Sequence, residues 1–313
     1  MRSRGSALPS VSSLEEASRL VAAAHAEGGK LRIGGDVTTD GLDRILEHEM
    51  GDLTCTVETG IRLSSLSAVL GASGQRLSLD PPGDPTIGAL LAENLSGPLR
   101  HRFGAPRDLV LGVTLVLADG TVASAGGKVV KNVAGFDLAR LMCGSRGRLA
   151  LIARASFRLH PLPKAARTLV VETGDASTVV ARLLRSQLQP SALDVLHPGR
   201  VAVLFEGSER AVEEQLASAR DLVGGTEADL GVWDESRLRQ GGARGRIRFE
   251  PGRLGELLSN LSEGVVRPAA GIAYDGEEQP SGSEPQSQEV DDRVRELVRK
   301  IERELDPRGV FAT

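Results

Sequence analysis

Apolar and polar positions alternate along this chain with both helical and strand periods, and they cut it into many short elements. Residues 1–12 read as a loose tail. Ser13-Leu14-Glu15-Glu16 has capping-box spacing and opens an Ala/Leu/Val-rich helix that runs to about His25 and stops at Gly28-Gly29. Leu31–Ile33 reads as a short strand entering Gly34-Gly35. Residues 52–58 alternate as a strand, 62–74 read as a short helix closed by glycine, and Gln75–Leu79 as a further strand. Pro81-Pro82-Gly83-Asp84-Pro85 is a rigid turn, after which Thr86 to Asn94 begins a short helix. Asp108–Leu117 and Thr121–Ala125 are apolar strands joined by Asp119-Gly120, a strong hairpin signal. A short helix is expected near 138–143, and Leu149–Leu159 is a long strand closed by Pro161 and Pro163.

After Pro163 the texture changes. Strands are expected at 168–172, 192–196, 201–206 and 245–249, helices at 176–187, 208–223 and 252–262, and one or two strands over 265–274. This is a compact lobe close to a βαββαβ pattern. Residues 276–288 (GEEQPSGSEPQSQ) are polar and read as a flexible loop. An amphipathic, charged helix follows at about 290–305. The expected organisation is a tail at 1–12, a first domain at 13–163, a smaller second domain at 164–275, the loop at 276–288 and a C-terminal helical segment at 289–313. The fold class is α+β.

Composition narrows the chemistry. The 313 residues are 40% hydrophobic and 26% charged, ordinary for a globular protein, but only 3% aromatic with one Trp and one Tyr. Stacking of many bases on aromatic rings is not available, and a net charge of -4 gives no basic field, so nucleic acid is not an expected partner. Two distant cysteines, Cys55 and Cys143, hold neither an iron–sulfur cluster nor a four-cysteine zinc site, and no metal is expected. No apolar run of about 18 residues spans a membrane. The opening MRSRGSALPSVSSLEEASRL has no apolar core and does not read as a secretory signal.

Three segments carry candidate chemistry. Arg32–Thr38 (RIGGDVT) runs a strand into a glycine pair, where backbone N–H groups can form an anion nest, although Asp36 is a poor neighbour for a phosphate. Pro81–Ala89 (PPGDPTIGA) feeds a helix N-terminus at Thr86–Gly88. Asn94, Ser96 and Gly97 follow as a second small polar patch, with Arg100, Arg102 and Arg107 nearby. Gly126–Leu138 (GGKVVKNVAGFDL) and Gly144–Ile152 (GSRGRLALI) are glycine-rich between strands, which points to close backbone approach. Taken singly, each also fits an ordinary turn.

Taken together, RIGGD, PPGDPTIG, NLSG, FGAPRDLVLG, GGKVVKNVAGFDL and GSRGRL resemble, over about residues 9–163, the FAD-binding domain of glycolate oxidase and D-lactate dehydrogenase flavoproteins, of the vanillyl-alcohol-oxidase (PCMH) type. The last-but-one run is similar to the glycolate oxidase branch, and the short chain to its smaller accessory FAD subunit. The resemblance implies a PCMH-type domain of two α/β subdomains followed by a ferredoxin-like cap. It implies that Ile33, Gly34, Gly35, Asp36, Val37 and Thr38 wrap the FAD pyrophosphate. Pro82, Thr86, Ile87 and Gly88 line the diphosphate and flavin side, and Asn94, Ser96 and Gly97 continue that wall. Lys131, Asn132 and Asp137 shape the adjoining turn, while Gly144, Gly147 and Ile152 lie against the cofactor. No His or Cys stands at the glycine-pair loop, so the implied FAD is non-covalent.

The chain departs from the family pattern at Asp36, Ala89, Arg146 and Ala150. The resemblance further implies a larger FAD subunit and an iron–sulfur subunit as partners, a small 2-hydroxy acid as substrate, and a cytoplasmic place, peripheral to the inner membrane through the complex. No catalytic base stands out: His160 lies beside prolines and His197 in an expected loop. Arg244, Arg246 and Arg248 offer a carboxylate clamp or one solvated strand face. Two alternatives stay open: a structural subunit with a relic FAD site, favoured by Asp36, Ala89 and Ala150, and a stand-alone hydroxy-acid dehydrogenase.

Overall fold

A computed structural model describes residues 8–127, 137–276 and 292–311. The first helix, α1 (Leu14–Glu27), begins where the Ser13 hydroxyl accepts the Glu16 amide and ends at Gly28 in the left-handed conformation. The chain continues through β1 (Ile45–Glu49), β2 (Thr54–Glu58), α2 (Leu63–Ala72), β3 (Gln75–Arg76), α3 (Ile87–Ala92), α4 (Arg100–Phe103) and α5 (Pro106–Leu109). Then come β4 (Val110–Val116), β5 (Val122–Gly126), α6 (Leu138–Met142), β6 (Leu151–Arg158) and β7 (His160–Pro161). An antiparallel five-stranded sheet, ordered β1-β2-β6-β4-β5, organises this half. Leu66 and Leu70 of α2, Ile87, Leu90 and Leu91 of α3 and Met142 of α6 pack with Phe157 in one core. The opposite side buries Ala17 and Val21 of α1 with Val116 and Leu151.

The hairpin expected at Asp119-Gly120 is present: β4 pairs with β5, and the Thr121 amide donates to Asp119 Oδ1. Three expectations need correction. The end of the expected tail is not loose: Val11 N–H donates to Thr38 O, Thr38 N–H donates to Pro9 O, and Val11 is buried in the core beside α1. Leu31–Ile33 is not a strand, since only an isolated bridge joins Ile33 to Val37. The strand expected over Gln75–Leu79 is confined to the two residues of β3, paired with β7. The half-buried edge strand β1 carries too weak an alternation to stand out in the sequence.

The second half contains β8 (Ala165–Glu172), α7 (Ala176–Arg185), β9 (Ala192–His197), β10 (Arg200–Gly207), α8 (Glu209–Val223), β11 (Thr226–Ala228), α9 (Gly231–Gly241), β12 (Gly245–Arg248), α10 (Leu254–Asn260), β13 (Gly264–Arg267) and β14 (Ile272–Asp275). The segment from β8 to β11 is a βαββαβ unit. Its antiparallel sheet continues past β9 into a seven-stranded order, β11-β8-β10-β9-β13-β14-β12. Val180, Leu216 and Leu254 from α7, α8 and α10 cover one face with Phe205. On the other face Val232 and Trp233 of α9 meet Leu196, Val265 and Leu99, so α9 lies where the two halves join. Finally α11 (Asp292–Leu305) returns to the first half: Ile301 and Leu305 pack on its main core and Val310 and Phe311 are buried beside Val21.

Candidate functional site

Three segments of the first half converge on a cleft of about 280 Å³: the loop after Arg32, the start and end of α3, and the turn before β6. Ile33, Gly34, Thr38, Thr86, Gly88, Gly147 and Ile152, all expected at a cofactor, line it. Thr39, Asp40, Ala92 and Glu93 line it as well without having stood out in the sequence, and so do Ala89, Arg146 and Ala150, positions that depart from the family pattern. The volume is just below the roughly 300–1,000 Å³ of sites that enclose a whole small ligand.

The glycines serve packing as much as ligand approach. Gly34 and Gly147 have φ of 83° and 74°, in the region that disfavours side chains. The loop does not present a free N–H nest. The amides of Gly35, Asp36 and Val37 donate to Arg32 O, that of Gly34 to Val37 O and that of Thr38 to Pro9 O. Asp36 turns away to pair with Arg32 at 2.9 Å, and this partner holds its carboxyl below the usual range. Val37 is a core residue. The helix N-terminus is also satisfied from within: Ile87 N–H donates to Ile61 O, Gly88 N–H to Thr59 O and Ala89 N–H to Thr86 Oγ1. At both places the backbone donors thus already have acceptors within the chain.

Other expected residues fall beside the cleft rather than in it. Ile87 is fully buried in the core. Asn94 adopts φ 51° next to Glu93, and Gly144 faces its Cβ. Gly97 lies so close to Asp80 that an added Cβ would stand 1.7 Å from the Asp80 carbonyl oxygen. Pro82 faces Gly241 of α9, away from the cleft. Gly35 packs on its neighbour Arg32. Lys131 and Asn132 lie outside the described residues. Two buried polar atoms, Asn94 Oδ1 and Ser145 Oγ, have no hydrogen-bond partner, and each residue adjoins in sequence one that lines the cleft, Glu93 and Arg146. Such orphans, together with small residues at Gly88, Ala89, Gly147 and Ala150, are what a cleft built for a polar, closely held cofactor shows.

A second polar cluster sits where the halves join. Arg267 of β13 is 3% exposed, yet none of its three guanidinium nitrogens donates a hydrogen bond. Its Nε lies 3.5 Å from Asp194 Oδ1, and its guanidinium stacks 5.1 Å from the Tyr274 ring centre. Asp194 is fully buried and accepts from Ser236 Oγ; burial pushes its carboxyl up against the opposing Arg267 charge. Asp80 accepts from Leu99 N–H and lies 3.5 Å from Arg237. Burial raises its carboxyl to about 7, against the pull of Arg267, the Leu99 amide and Arg237. Gln240 donates to Ser96 O, next along the chain from the cleft wall. The sequence held one signal for this cluster, a charged residue inside each of the apolar strands LDVLH and GVVR.

The histidines and arginines singled out earlier take plainer places. His160 stacks on Phe103, and burial with nearby Arg158, Arg76 and Arg102 lowers it to about 4. Arg244, Arg246 and Arg248 are exposed. Among the described residues no group of His, Cys, Asp or Glu has a metal-binding arrangement, and no helix is long and apolar enough to cross a membrane.

Residues 8–126, which hold the glycine-walled cleft, match the family described as FAD binding domain. The chain is similar to glycolate oxidase subunit GlcE of Escherichia coli, 33% identical over 221 residues, which are 67% of this chain and 62% of that protein. It is 32% identical over 184 residues to glycolate oxidase subunit GlcD of Bacillus subtilis, covering 55% of this chain and 39% of that one. The mitochondrial D-lactate dehydrogenase (cytochrome) 1 of Saccharomyces cerevisiae is 29% identical over 171 residues, 53% of this chain and 29% of that protein. The chain thus spans less than two-thirds of the length of each of these relatives. A solved alkyldihydroxyacetonephosphate synthase shares the fold, with a TM-score of 0.73, 16% identity, and coverage of 96% of this chain and 76% of that one.

Proposed function

We propose that this chain is the FAD-binding subunit of an oxidase or dehydrogenase of small 2-hydroxy acids such as glycolate. On this reading it holds FAD non-covalently and works beside a larger FAD subunit and an iron–sulfur subunit, in the cytoplasm. Residues 13–163 are the FAD domain and 164–275 the cap. Ile33, Gly34, Thr38, Thr86, Gly88, Gly147 and Ile152 are the walls that hold the cofactor, with Asn94 and Ser145 offering polar atoms to it. Bound FAD supplies the hydride or electron acceptor, and the protein supplies position and charge.

The observation that carries the substrate class is Arg267. A buried guanidinium with no hydrogen-bond acceptor is costly, and a planar carboxylate matches its fork. On this reading Arg267, which faces Asp194 at 3.5 Å, anchors the acid at the junction of the halves, and Asp80, whose carboxyl burial raises to about 7, takes up the hydroxyl proton. The test has two stages. The purified chain is desalted after incubation with FAD, and flavin absorbance is recorded before and after denaturation. Glycolate binding to the loaded chain is then measured by calorimetry. Retained, extractable flavin together with glycolate binding that weakens at least about tenfold in Arg267→Gln supports the reading. Equal binding by both forms sinks the carboxylate assignment.

One observation favours a second reading, a structural subunit with a relic site. Asp40 and Glu93 outnumber Arg146 on the cleft wall, which repels a diphosphate. Absence of flavin at excess FAD decides for it.

A further inference from the structure

The cleft poses an electrostatic problem whose solution lies in one side chain. FAD carries an anionic diphosphate. The amides of the 34–38 loop and of the first turn of α3 already donate within the chain. Among the described residues lining the cleft, Asp40 and Glu93 are acidic and Arg146 is the only cation. Its backbone is pinned by donation from its N–H to Ala92 O at 2.9 Å, at the end of α3. It holds φ 54°, an uncommon conformation for a residue with a Cβ, between Gly144 at 91° and Gly147 at 74°. Its guanidinium lies 3.5 Å from Glu93 Oε2, and the two side chains are 65% and 49% exposed. An ion pair this open is held weakly and exchanges partners readily.

We infer that Arg146 is the residue that meets the cofactor's diphosphate, exchanging Glu93 for the phosphate oxygens when FAD binds, and that the Glu93–Arg146 pair sets FAD affinity. This rests on the FAD-binding reading above. A guanidinium offers phosphate a charged, forked donor set. Glu93 is then a competitor: it occupies Arg146 in the unliganded cleft and adds negative charge to the wall. The two side chains therefore act on FAD affinity with opposite signs. A structural role for the pair predicts the same sign for both.

The experiment measures FAD dissociation constants of the full chain by flavin fluorescence quenching, at low and high salt. The forms compared are wild type, Arg146→Gln, Glu93→Gln and Arg303→Gln. Arg303 is a basic residue of a separate surface hollow and controls for general charge. Circular dichroism and the emission of the single Trp check that each form is folded. Arg146→Gln is expected to weaken FAD about tenfold and to flatten the salt dependence. Glu93→Gln is expected to tighten it, and Arg303→Gln to leave it unchanged. Wild-type affinity in Arg146→Gln, or weakened binding in Glu93→Gln, overturns the inference while leaving FAD binding intact. Should Arg146→Gln not fold, the direction of Glu93→Gln and the wild-type salt dependence still decide. No FAD binding by the wild type overturns both this inference and the proposed function.

Discussion

At the scale of single residues, Asp80 and His160 each tie stability to pH, in opposite directions. Asp80 ionises near 3.8 in an unfolded chain and at about 7 in the fold, chiefly because burial penalises its charged form. Its pKa is raised, so between these values the native state holds a proton that the unfolded state has released. Its contribution to stability is full below the unfolded value and is lost as pH rises through the folded one. His160 acts oppositely: lowered to about 4 by burial, it favours the fold above its unfolded value near 6.5 and loses that contribution as pH falls. Asp80→Asn keeps an acceptor for the Leu99 amide and removes the titration. Relative to wild type, the variant is expected to gain more stability at pH 7.5 than at pH 5 in urea unfolding. A stability difference independent of pH would show that Asp80 is already ionised in the fold across this range.

At the scale of elements, α3 shows how a short helix is positioned without any ligand. Its first turn is tied to Ile61 O, Thr59 O and the Thr86 hydroxyl. Thr86→Ala removes the cap on Ala89 and is expected to cost about 1 kcal/mol, read from the shift of the urea midpoint at constant slope. The same local logic made α1, the β4–β5 hairpin and β6 readable from sequence, since capping residues, a turn dipeptide and an apolar run are contained within each. It failed for β1, whose partner β2 and half-buried face are settled by the sheet. It failed for α9 because the buried stripe of that helix includes Ser236 and Gln240, polar residues that break the apolar period.

The glycine segments were legible as places of close approach, but the sequence did not say what approaches. At Gly97 it is the backbone of Asp80, and at Gly88 the carbonyl of Thr59, 3.2 Å from where a Cβ would stand. Asp194 and Arg267 were hidden for the converse reason: a lone charge in an apolar strand acquires meaning only when the fold buries it.

At the scale of the whole molecule, the last described residues support from behind the segment that leads into the cleft. Asp306 accepts from the amides of Val310 and Phe311, which folds the chain back on itself after α11. Val310 O then accepts the Leu31 amide at 2.7 Å, and Phe311, 5% exposed, packs in the cluster that also holds Leu31 and Val37. Leu31 leads directly into Ile33 and Gly34 of the cleft. Two segments far apart in sequence thus share one core, and the position of the glycine loop depends on both. Phe311→Ala deletes most of a buried ring and is expected to destabilise the protein by about 3 kcal/mol. The effect on the loop is local as well as global. Hydrogen exchange at the Leu31 amide should accelerate more than exchange at amides within β8–β10, which lie in the other half. Uniform acceleration across both sheets would mean that the C-terminal segment stabilises the molecule as one unit, with no special hold on the cofactor loop.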